Sequence, residues 1–189
     1  MIAPVTGTRA VITALALLLG LSACSGEDPE PRVAPPSPTE PSTTGTAAET
    51  PPEMPEAAKG TDAAAAEAFV KFYWATVNYA QATGNTDALR ALGDNCVNCD
   101  NSVDFIEEVY GGGGHIRGGQ GTPTDVDVSF TELQNEWSAI VDFVLTLTPQ
   151  DVDLPGEADD KHYKGGEREI RMYLQPADGS WVVRTMGFP

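Results

Sequence analysis

The chain has 189 residues and a formal net charge of −17, from 28 acidic against 11 basic side chains. Such a charge repels phosphate backbones and anionic lipid headgroups, which excludes nucleic acid as a partner class. With two histidines and three cysteines in the whole chain, neither a cofactor nor a metal site is expected.

At the N-terminus Arg9 supplies a positive region and Val11 to Gly20 an apolar run of ten residues. As a helix that run would span about 15 Å, half of the roughly 30 Å of a bilayer core. It therefore reads as a cleaved export signal and not as a membrane-spanning helix. Leu21-Ser22-Ala23-Cys24 closes it and has the form of a lipobox. Residues 1–23 are thus expected to be removed, with Cys24 lipidated and the protein held outside the cytoplasm on the cell membrane as a lipoprotein. The stretch that follows, up to Gly60, is built from Pro, Thr, Ser, Glu and Ala, with Val33 and Met54 as its only sizeable apolar side chains. Such a segment buries too little to offset its ordering entropy, so residues 24–60 are expected to form a disordered tether.

Residues 61–189 are enough for one domain of ordinary size. Asp62 ahead of an alanine run and Gly84 beyond it predict a helix over 62–83, with Ala65, Phe69, Phe72, Thr76 and Ala80 on its core stripe and Tyr73, Val77 and Tyr79 widening it. Asn85 or Thr86 would cap a short second helix ending at Gly93. A third is predicted from Asn101, where Asn-Ser-Val-Asp resembles a capping box, to the glycines 111–114.

The period then changes from about 3.6 to 2. Val126, Val128 and Phe130 alternate with polar residues as one strand. Trp137, Ala139, Val141, Phe143, Leu145 and Leu147 mark one face of a second. Ile170, Met172 and Leu174 face inward from a third, and the turn Ala177-Asp178-Gly179-Ser180 leads into a fourth at Trp181 to Met186. Helices followed by an antiparallel meander argue for an α+β domain, helices packed on one face of a curved four-stranded sheet.

Phe69-Val70-x-Phe72-Tyr73, Asn78-Tyr79-Ala80, Thr83-Gly84, Leu89 and Cys96-x-x-Cys99, behind a lipobox and a Pro/Thr linker, resemble an actinobacterial lipoprotein family known as domain of unknown function 6318. That resemblance implies no activity. More loosely, the element order is similar to the nuclear transport factor 2-like or cystatin-like roll, which implies a sheet curled around the first helix and a conical cavity.

Among residues that could carry chemistry, Cys96 and Cys99 read first as a local disulfide pinning the joint between the second and third helices. Thiol–disulfide exchange is the alternative, opposed by Asp94 and Asp100, which would raise a thiolate pKa. Zinc would need further ligands, with His115 and His162 the only histidines. Asp151 to Asp159 is a near miss for a calcium loop, since Pro155 and His162 stand where ligands belong. Asp142 is flanked by apolar residues on both sides, Val141 and Phe143, within the long second strand. It reads as a surface-facing strand residue first and as an acid–base group, alongside His115, second. The expectation is therefore a non-catalytic binding module. It would recognise an envelope protein or a small apolar ligand through a pocket lined by Tyr73, Trp74, Asn78, Trp137, Asp142 and Tyr173. A cavity enzyme and thiol exchange are the alternatives.

Overall fold

Helix α1 (Ala63–Thr83) starts where Asp62, in extended conformation, accepts the N–H of Ala65 at 2.8 Å. This satisfies one of the donors that a helix start leaves free. It stops at Gly84, whose φ of +76° is left-handed and whose N–H reaches Ala80 O. A Cβ there would come within 2.5 Å of the Tyr110 ring, so this position needs glycine for its conformation and for its space. In the computed structural model residues 50–133, 136–154, 156 and 160–189 are described; the lipobox and Cys24 lie outside them. No helix among the described residues is long and apolar enough to cross a membrane.

The core stripe of α1 has the expected width, with Val70 and Trp74 added to it. Phe69, Phe72, Tyr73, Thr76 and Ala80 are buried, and so are Val70, Trp74 and Val77. Helix α2 is one turn (Asp87–Arg90), and α3 runs Val97–Gly111. The start of α3 corrects the expectation of Asn101. Cys96 is its N-cap, with Sγ accepting the Cys99 N–H at 3.3 Å, so Asn101 lies inside the helix. Cys96 and Cys99 are joined as a disulfide within that first turn, because residues three apart on a helix face each other. The bridge packs on Gly93, and Leu92 and Asp94 on either side exchange backbone hydrogen bonds of 2.9 Å with Val183.

Among the described residues seven strands follow: β1 (His115–Gly118), β2 (Gly121–Leu133), β3 (Glu136–Leu147), β4 (Gln150–Asp153), β5 (Lys161–Tyr163), β6 (Gly166–Ala177) and β7 (Ser180–Gly187). The four long ones form an antiparallel sheet in the order β2-β3-β6-β7, and the short ones form a second sheet in the order β1-β4-β5. The first sheet is the expected meander. Its inner face, buried against α1, carries Ala139, Val141, Phe143 and Leu145 of β3 with Ile170, Met172 and Leu174 of β6. The second sheet was not foreseen, and it places Asp151 and Asp153 in a strand and not in a calcium-type loop. Pro155 and residues 157–159 of that motif lie outside the described residues.

The expected boundary at residue 61 is too late. Glu56–Ala58 form a 3-10 turn, Ala58 is fully buried, Ser180 Oγ donates to Ala58 O at 2.7 Å, and Gly60 N–H donates to Gly179 O at 2.7 Å. The end of the presumed tether is thus stitched to the β6–β7 turn. Trp137 also departs from expectation, being 56% exposed although its parity is inward. The β3–β6 ladder ends at the pair Ala139 and Leu174, so Trp137 stands beyond it and stacks on Phe130 with ring centres 5.3 Å apart.

Candidate functional site

The six residues expected to share a pocket are divided among four places. Tyr73 and Trp74 lie on the buried side of α1. Asn78 is a structural clamp: its Nδ2 donates to Gly121 O at 2.9 Å and its Oδ1 accepts from Gly121 N at 2.8 Å, fixing the first residue of β2 to the helix. Trp137 is at the β2–β3 tip. Asp142 and Tyr173 are on the outer face, since both strands put them on the parity opposite to Val141 and Met172.

What the fold assembles is an inner-face cavity of about 470 Å³ at the far end of the sheet from that tip. Leu145 and Leu147 floor it, Trp74 and Gln81 of α1 wall one side, and His162 to Gly165 with Arg168 wall the other. Glycine builds the rim. Gly165 has φ +74°, and a Cβ on it would lie 2.4 Å from Leu147 O, so the β5–β6 turn can hug the end of β3 only without a side chain. That contact carries Lys164 to the mouth.

A second cavity of about 200 Å³ lies between α1 and α3, against Tyr73, Phe105 and Ile106. Trp74, Gln81 and Gln150 are common to both, and Gln150 Nε2 donates to Gln81 Oε1 at 2.9 Å across that partition. Burial, with the nearby charge of Asp100 adding to it, pushes the Tyr73 phenol far above its ordinary pKa, so it stays neutral. The indole Nε1 atoms of Trp74 and Trp181 are buried with no hydrogen-bond partner among the described residues.

Asp142 accepts from Arg171 Nε at 2.7 Å and from Nη2 at 2.8 Å. The pair sits in a shallow outer groove of about 270 Å³ with Asp125, Asp127 and Glu169. A general base works best against apolar surroundings; the Asp142 carboxylate is instead partly exposed and held by a guanidinium. The same pairing raises the Arg171 pKa, first through the hydrogen bond and then through the charge. His115 faces Asp153 at 3.2 Å and Arg117, and His162 faces Asp151 at 2.6 Å, all on the small sheet. Among the described residues no group of three or more His, Cys, Asp or Glu is placed to hold a metal ion. Cys96 and Cys99 are 1% and 4% exposed, which denies an exchange partner access to either sulfur.

The residues missed from sequence are Lys164 and Arg168. Arg168 pairs across from Leu145 and shares its parity with Ile170, Met172 and Leu174. That parity was a readable signal for a charged side chain on the inner face. Lys164 gave none, because its place follows from the turn at Gly165.

The profile of a family of unknown function, DUF6318, matches residues 39–187. No curated protein matches the chain. Among solved structures, the intermembrane space region of the chloroplast protein ARC6 is similar, with a TM-score of 0.50 and 16% identity over 67% of this chain and 95% of that one. The CaMKII hub homology domain of Chlamydomonas reinhardtii is more distant, with a TM-score of 0.36 and 16% identity over 66% of this chain and 95% of that one. At such identity the likeness to the ARC6 region concerns the fold alone.

Proposed function

The chain belongs to the DUF6318 family, and from that premise we propose that it is a non-catalytic binding module of the cell envelope whose small-molecule ligand occupies the inner-face cavity beside Trp74. The observation that carries this reading is the cavity itself. Its volume of about 470 Å³ falls within the roughly 300–1,000 Å³ usual for ligand pockets. Its floor is apolar, and its mouth is framed by glycine turns that hold the backbone in place. We read the fold as a nuclear transport factor 2-like roll; the element order and the packing of α1 on the inner face support that reading.

The module is lipid-anchored through Cys24 and works outside the cytoplasm in this proposal, which rests on the export signal and lipobox. Cys24→Ala should then release the protein from the membrane fraction; a variant that still pellets with membranes contradicts the anchor. For the cavity, Leu147→Trp places an indole where the ligand would lie. It should abolish binding of the neutral probe 4-phenylbutanol while the melting temperature stays within a few degrees. Unchanged binding by the folded variant, or no binding by the wild type, contradicts the cavity reading.

A further inference from the structure

Resting on that cavity reading, we infer that the natural ligand carries a carboxylate on an apolar body, with Arg168 and Lys164 receiving the carboxylate. The chain has 28 acidic and 11 basic residues, yet among the described residues the cavity wall includes Lys164, Arg168 and His162 and no acidic residue. A lining drawn from this composition without selection would be mostly acidic among its charges. The charged side chains of the described lining are thus opposite in sign to the chain's net charge, which favours an anion there.

Arg168 supplies the second argument. It occupies an inner-face position of β6, opposite Leu145 and two residues from buried Ile170. Arg168 itself is exposed, so its guanidinium is within reach of a ligand entering the cavity. Arg168 makes no salt bridge with any described residue; its Nη1 donates to the backbone oxygen of Glu167 at 2.8 Å, leaving other guanidinium donors for a ligand. Lys164 also makes no salt bridge with any described residue. It is carried to the same mouth by the close approach of Gly165 to Leu147. A planar guanidinium suits a carboxylate's two oxygens, with the ammonium adding a point charge. Leu145, Leu147 and Trp74 beneath them suit an apolar or aromatic tail. His162, on the same wall, is engaged with Asp151.

The test uses the full chain in zwitterionic lipid nanodiscs, titrated calorimetrically with 4-phenylbutyrate, 4-phenylbutanol and 4-phenylbutylamine, with empty discs as the blank. The carboxylate should bind about tenfold more tightly than the alcohol, and the amine more weakly than both. Arg168→Gln should bring the carboxylate down to the affinity of the alcohol without changing the alcohol, and Lys164→Gln should do so in part. Equal binding of carboxylate and alcohol, a preference for the amine, or an Arg168→Gln variant that keeps the preference overturns the inference while leaving the cavity reading standing. If none of the three probes binds, both fall together.

Discussion

Arg168 and Arg171 stand three residues apart on one strand, on opposite faces of one sheet, in different circumstances. On the outer face Arg171 is held by both oxygens of Asp142, at 2.7 and 2.8 Å. On the inner face Arg168 borders a cavity whose described lining includes no carboxylate. A chain so rich in acid could have supplied a partner for each. That the described residues supply one outside and none inside separates a charge that holds structure from a charge left available to something that arrives.

The inner face divides in the same way along its length. Toward the tether, Phe69, Trp181 and Ala58 are packed solid; toward the β5–β6 turn, Leu147 is only half-buried beside open space. Phe69→Ala should therefore cost about 4 kcal/mol in a denaturant titration. Leu147→Ala should cost about 1 kcal/mol, because little surrounding contact is lost. Similar costs for the two would mean that the cavity end is packed like the rest. Between the arginines the contrast is smaller. Arg171→Gln should lower the denaturation midpoint slightly, the partly exposed pair being screened by solvent, whereas Arg168→Gln should leave it unchanged. A larger loss at Arg168 would give it a structural role and break the comparison.

The smallest effect tests charge placement away from both faces. Thr86 and then Arg90, by hydrogen bonds, hold the Glu107 carboxyl below its ordinary pKa. A carboxyl depressed in the folded state contributes stability that is fully present above the unfolded value, about 4.3, and is lost as pH falls through the lower folded value. Glu107→Gln should flatten that part of the acid limb in thermal melts; an unchanged acid limb would show that the α2–α3 contact does not matter to stability.

Much of the frame is legible in the sequence because its signals are local. Asp62 and Gly84 bracket α1, period-2 runs mark the four long strands, and the spacing of Cys96 and Cys99 suits one helical turn. The rest depends on pairing at long range. Strands β1, β4 and β5 have three or four residues each, too few for alternation to show. Ala58 is buried because Ser180 reaches it, which its low-complexity surroundings give no sign of. Parity placed Trp137 on the correct face but could not say where the ladder ends. For the site, parity would have flagged Arg168, while the six residues chosen for aromatic or acidic character were divided by the two faces of the sheet and by the clamp at Asn78.

Calorimetric titration of 4-phenylbutyrate into wild type, Arg168→Gln and Arg171→Gln side by side tests the account most directly. The inner-face site predicts a loss of about tenfold in affinity for Arg168→Gln and wild-type affinity for Arg171→Gln. Equal affinities for all three, or a loss confined to Arg171→Gln, would contradict it.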